Sequence, residues 1–164
     1  MNFPTLALTL SAALLLQGCA GSSPPPQQED PAQMAKAIDD MFAAFSRGDL
    51  DSFTQSLADD VVYEKEGRPP VRGKNAFGEF AEEALLASSH AEVRPIRKVI
   101  QGNQVVAEIR YEGVHDKGKL YGVAPTGRNL IFGWALWLVF EDGEIVRLKG
   151  FSDPDILKEQ LGVD

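Results

Sequence analysis

The residues with chemistry to offer are few: one cysteine, two histidines and a scatter of carboxylates. Cys19 closes the run Leu16-Gln17-Gly18-Cys19. Small residues before a thiol form the pattern of a lipobox, in which the cysteine is lipidated and becomes the new N-terminus. A lone cysteine excludes an internal disulfide. His90 and His115 have neither HxxxH nor HxH spacing, so no metal site is expected. His90 follows a helix and reads as a surface residue, and His115 sits in a Gly-rich loop where a solvated histidine is the simplest reading. Asp59, Asp60, Glu64 and Glu66 cluster at a short strand, where solvated loop charges explain most of them. Asp153-Pro154 has the form of a helix entry, with Asp as N-cap and Pro at the first helical position. There is no Gly-x-Ser-x-Gly elbow, no P-loop and no dinucleotide fingerprint, and no cofactor is expected.

These residues are carried on three segments: 1–18, a signal peptide; 19–29, a tether; and 30–164, one domain. Leu6 to Leu16 is an apolar run too short to span a bilayer and long enough for a signal h-region, although Met1 to Thr5 lacks the usual Lys or Arg. Ala20 and Gly21 follow the cysteine with no Asp. By resemblance to Gram-negative sorting signals, that implies the outer membrane, with the domain facing the periplasm. Gly21 to Glu29 (GSSPPPQQE) has no apolar periodicity and reads as a semi-extended tether. Composition is globular, 44% apolar and 24% charged, and the formal net charge of −8 falls entirely after residue 18. A nucleic-acid partner is excluded, because phosphate binding needs a basic face.

Within the domain the hydrophobic period is helical first and then strand-like. Asp30-Pro31 starts a helix that places Met34, Ile38, Met41, Phe42 and Phe45 on one face, and Gly48 stops it. Asp49 caps a short second helix. Val61 to Glu64 is a strand, and Gly73 to Ser88 a third helix with Phe77 and Phe80 inward. Strands follow at Val93 to Ile100 and Val105 to Gly113. Residues 129–140 and 145–152 form a hairpin around Asp142-Gly143, and Pro154 to Leu161 is a last helix. With Glu141 facing Glu144, Phe132, Trp134, Leu136, Arg147, Lys149, Phe151 and Asp153 share one face. Trp137, Val139, Val146 and Leu148 share the other. Both faces are largely apolar, so the hairpin is covered on both sides, lines a cavity or meets a second copy of the chain. Helices followed by an antiparallel meander make the fold class α+β.

The runs Phe45-Ser46-Arg47-Gly48-Asp49-Leu50-Asp51 and Ala58-Asp59-Asp60-Val61-Val62-Tyr63 resemble the opening of nuclear transport factor 2-like domains. Tyr111-Glu112-Gly113-Val114-His115, Pro125-Thr126-Gly127-Arg128 and the ending Asp142 to Val146, Asp153 and Gln160-Leu161-Gly162 resemble its SnoaL-like, polyketide cyclase branch. The resemblance covers roughly residues 32–162 and implies a cone-shaped, curved antiparallel sheet against the N-terminal helices, with a pocket between them. It implies a small, apolar, oxygenated ligand and pocket walls of Phe42, Tyr63, Phe80, Trp134, Lys149 and Phe151. It also implies cofactor-free acid/base chemistry through Asp153, helped by His115 at the rim, and a homodimer formed through the open sheet face. Two departures stand against parts of this. Lys149 falls where the branch usually has an aromatic. The catalytic Asp and Tyr of the related ketosteroid isomerases align near Lys65 and Met41, so that mechanism is disfavoured. A non-catalytic module binding a ligand or an envelope protein is the competing reading, because fold does not fix function.

Overall fold

A computed structural model describes residues 28–163; the leader, Cys19 and all but the last two residues of the tether lie outside the described residues. Helix α1 (Pro31–Arg47) begins where the Asp30 carboxylate accepts the Ala32 N–H at 2.9 Å, and ends at Gly48, whose φ of 66° suits glycine. Asp49 caps α2 (Leu50–Thr54) through the Ser52 N–H. The Ser52 hydroxyl and N–H hold the Asp49 carboxyl below its usual range, opposed weakly by burial and aided by Arg47. The chain continues through β1 (Leu57–Lys65), a two-residue β2 (Val71–Arg72), α3 (Lys74–Leu86), β3 (Ala91–Gln101), β4 (Gln104–Val114), β5 (Asn129–Glu141), β6 (Glu144–Phe151) and α4 (Pro154–Leu161).

The strands form one curved, unclosed sheet in the order β2-β1-β6-β5-β4-β3. The expected meander is present from β3 to β6 and antiparallel throughout. The sheet as a whole is mixed, because β1 runs parallel to β6, with Tyr63 opposite Leu148 and Lys65 opposite Gly150. Hydrophobic alternation reports which residues face the core but not which distant strand lies alongside, so this pairing was not legible from period alone. Helix α1 lies on the inner face near β3, where the Ser46 hydroxyl accepts the Val93 N–H at 2.8 Å and so satisfies an edge-strand donor.

The β5–β6 hairpin requires a correction. Its turn is as expected, with Asp142 and Gly143 both at positive φ (52° and 82°), the backbone of a type I′ turn. Glu144 pairs with Glu141 and Ile145 with Phe140, but Arg147 then pairs with Val139, leaving Val146 as a bulge. One extra residue exchanges the faces of everything beyond it. Leu148 and Gly150 therefore face inward beside Leu138 and Leu136, whereas Arg147, Lys149 and Phe151 lie on the outer face opposite Val139, Trp137 and Ala135. The core fills the space between this inner face and α1, with Ile38, Leu57, Ile109, Leu138, Ile145 and Leu148 fully buried. Each such side chain contributes about 1.5–3 kcal/mol by leaving water.

Candidate functional site

The core is filled at one end only. Toward the C-terminal ends of β1 and β6 the sheet and helices diverge around a cavity of about 1270 Å³. In three elements the lining residues come from the later half: Met41, Phe42 and Phe45 of α1, Tyr63 of β1, Leu148 and Gly150 of β6. Their earlier neighbours Met34, Ile38, Leu57 and Ile145 are packed solid. The walls are strongly aromatic. Tyr63 lies 5.2 Å from Phe77 and 5.1 Å from Phe80, Phe42 meets Trp134 edge-on at 6.0 Å, and Tyr111 stacks on Phe132 at 4.8 Å. Leu157 and Leu161 of α4 close one side.

Helix α4 is held over the site by its far end. The Gln160 side chain acts as a strand would: its carbonyl accepts the Ile131 N–H at 2.6 Å, and its amide donates to the Ile131 carbonyl at 2.7 Å. Gly162 leaves room for the Arg128 guanidinium, which a Cβ there would strike. Across the mouth lies the segment 115–128. Its tip is a tight turn at Tyr121-Gly122, closed by reciprocal hydrogen bonds of 3.0 Å between Leu120 and Val123, whose side chains line the cavity. The Gly122 N–H donates to a Glu83 carboxylate oxygen of α3 at 2.9 Å. Lys65 and Arg68 stand 5.8 and 5.6 Å from the centre of the Tyr121 ring, within cation–π range.

His115 holds the base of that segment and does not line the cavity. It is fully buried, with Nε2 donating to the Gly118 carbonyl at 2.9 Å and Nδ1 3.2 Å from the Thr126 hydroxyl. Since a carbonyl only accepts, Nε2 carries a proton, and Nδ1 pairs with the Thr126 hydroxyl. The backbone reinforces the knot, with Thr126 and Gly127 both donating to the His115 carbonyl. Both the solvated-loop reading and the pocket-rim role fail here, because each ring nitrogen is engaged inside the loop.

Asp153 lies at the cavity mouth and is also a helix cap: exposed, it accepts the Asp155 N–H at 3.0 Å. Phe42, Tyr63, Phe80 and Trp134 line the walls, and Phe151 reaches the rim with its ring 49% exposed. Lys149 does not line the cavity. The bulge turns it outward, where its ammonium sits 5.4 Å over the Phe151 ring. Trp137 is outward too, donating from Nε1 to Gln104 at 2.9 Å.

Sequence reasoning missed Gly150, Tyr111 and the Tyr121 turn. The alternation of β4 already set Tyr111 on the inward face with Ile109, but nothing local distinguishes a core position from a cavity wall. Burial pushes the Tyr63 phenol up to about 12, with Tyr121 adding to the effect and Arg68 opposing it. Burial also raises Tyr111, partly offset by the nearby Ser88 hydroxyl and reinforced by Asp116. No partner among the described residues reaches the buried Tyr111 hydroxyl at hydrogen-bonding geometry. Among the described residues, no three His, Cys, Asp or Glu side chains converge as a metal site would require.

A curved mixed sheet folded over helices, with an aromatic cavity at one end, defines the nuclear transport factor 2-like class. Residues 38–148 match the SnoaL-like domain, and the chain belongs to that family. No curated protein matches the chain in sequence. Among solved structures it is similar to a Jannaschia sp. CCS1 protein assigned to the SnoaL-like polyketide cyclases (17% identity, 84% of this chain and 99% of that one, TM-score 0.73). It is similar also to TsrD from Streptomyces laurentii (20%, 83% and 99%, 0.72). A third is the LEH-like epoxide hydrolase of M. tuberculosis (19%, 79% and 90%, 0.62). At these identities the likeness is one of fold.

Proposed function

We propose that this domain binds a small, largely apolar, oxygenated molecule in the aromatic cavity, and that it does so as an exported lipoprotein anchored through Cys19 at the periplasmic side of the outer membrane. The observation that carries the binding reading is the cavity itself. Its volume of about 1270 Å³ is enough for a drug-sized ligand, and its wall is strongly aromatic, with Lys65, Arg68 and Asp153 among the charged residues that also line it. Leaving such a wall to water has no structural advantage, since its aromatic side chains would stabilise the domain more if packed. The lipobox at Cys19 supports the anchoring, and among the described residues no helix is long and apolar enough to cross a membrane. Pairing of two copies through the outer sheet face belongs to the same proposal. Val99, Val106, Ile131 and Phe151 are exposed there, between 45% and 61%.

A second reading, cofactor-free acid/base catalysis of cyclase, isomerase or hydrolase type, is favoured by one observation: a carboxylate, Asp153, at the mouth of an apolar cavity. With His115 engaged elsewhere, Asp153 would act alone. The test is a thermal-shift screen of the purified chain against hydrophobic carbonyl and aromatic compounds. A ligand present at 100 times its Kd adds about 2.7 kcal/mol to stability and raises Tm visibly. A broad panel with no shift would overturn the binding reading. Turnover of a hit that disappears in Asp153→Asn establishes catalysis, and binding without turnover establishes the non-catalytic module.

A further inference from the structure

We propose that the Tyr63 hydroxyl determines the specificity of the cavity, as a neutral hydrogen-bond donor that selects a ligand bearing a carbonyl oxygen on a flat apolar skeleton. This rests on the cavity being a binding site and adds which ligand atom it reads.

The backbone prepares the position. Because β1 runs parallel to β6 with Lys65 opposite Gly150, the Tyr63 ring lies across β6. A Cβ at Gly150 would stand 2.8 Å from the Tyr63 hydroxyl oxygen and 3.4 Å from its ring. Glycine at 150, on the inward face of β6, thus keeps open the seat the phenol occupies. Burial and two neighbours at the mouth, Tyr121 and Arg68, act on the hydroxyl there. The phenol stays protonated far above physiological pH, so it has a proton to offer, and among the described residues no acceptor takes it.

The wall around it is aromatic. The Trp134 ring with Phe42, Phe77 and Phe80 provides stacking faces. The carboxylates that touch the cavity, Glu66, Glu79, Glu83 and Asp153, are all exposed. A ligand seated inside therefore meets the Tyr63 hydroxyl and aromatic faces. A carbonyl oxygen satisfies this half-buried donor, which a hydrocarbon of the same shape leaves unpaired.

The experiment measures binding of two matched pairs, 9-fluorenone with fluorene and benzophenone with diphenylmethane, to the purified chain by tryptophan fluorescence. Wild type should bind each ketone about 5- to 10-fold more tightly than its hydrocarbon, the range one hydrogen bond contributes. Tyr63→Phe should abolish that preference and leave hydrocarbon affinity within about twofold, since it removes one oxygen and keeps the ring. Gly150→Ala, which displaces the hydroxyl, should weaken the preference too. If the ketone preference survives Tyr63→Phe, or both partners of a pair weaken equally, the cavity binds but Tyr63 does not read the ligand, and the proposal is overturned. If neither partner binds wild type, the cavity reading falls and the proposal with it.

Discussion

Capping and proton transfer make different demands on the Asp153 carboxylate, and asparagine separates them. Asparagine caps a helix about as well as aspartate, while alanine costs about 1 kcal/mol. Urea unfolding should therefore show Asp153→Asn near wild type and Asp153→Ala destabilised by about that amount; equal losses would mean that charge rather than the cap bond matters. His115 makes a harsher case. Replacing it with alanine opens a void and strips partners from Thr126 and the Gly118 carbonyl, an expected loss of about 2–4 kcal/mol by the same measurement. A near-neutral result would show the 115–128 segment to be held by its backbone alone. For Tyr63 the prediction concerns pH. Burial pushes its phenol up to about 12 in the folded chain, against about 10 when unfolded. A raised folded pKa means the stabilisation is complete below the unfolded value and is lost as pH climbs from there through the folded one. Wild type should lose stability relative to Tyr63→Phe across that interval, and parallel stability curves would place the phenol in water.

At the scale of elements, two small devices position the cavity walls. The Val146 bulge sets which side chains of β6 face inward. Deleting Val146 removes the extra residue and leaves Arg147 opposite Val139, Leu148 opposite Leu138 and Lys149 on the outer face. With the faces kept, that variant should fold, and failure to fold would mean that the added twist of the bulge itself holds the hairpin. Gln160 ties α4 to β5 by completing the pairing of Ile131. Gln160→Leu removes both bonds while preserving bulk. Hydrogen exchange at the Ile131 amide should accelerate, with a cost of about 1 kcal/mol because the site is exposed. Unchanged exchange would mean that Arg128 and Gly162 suffice to dock the helix.

The molecule as a whole has a closed end and an open end, and the chain enters at the closed one. Glu29, at the end of the tether, accepts the Gly143 N–H at 3.2 Å in the β5–β6 turn. Asp153 and the mouth lie beyond the other end of β6, whose eight residues span roughly 26 Å. If a lipid on Cys19 draws the tether taut, the mouth turns away from the bilayer. In vesicles carrying the lipidated chain, a fluorophore at Asp142→Cys should be quenched by bilayer-borne quenchers more than one at Arg68→Cys. The reverse order would mean that the cavity opens onto the lipid. Light scattering on the soluble chain addresses the outer sheet face, where a strictly monomeric mass would remove the proposed dimer.

By itself the sequence determined the elements, because caps, stops and hydrophobic period act within a few residues. Asp30-Pro31 to Gly48, Asp49, Asp142-Gly143 and Pro154 to Leu161 all form what their local chemistry dictates. It also carried the family, through the ordered motifs from Phe45 to Gly162, and the aromatic character of Phe42, Tyr63, Phe80 and Trp134. Only the tertiary structure decided that β1 lies parallel to β6, that Val146 bulges and turns Lys149 out, that His115 is consumed by its own loop, and that Gly150 makes room for the Tyr63 hydroxyl. Each of these depends on which distant residue stands opposite. That is set by the summed packing of the whole sheet and its helices, and no local period or propensity encodes it.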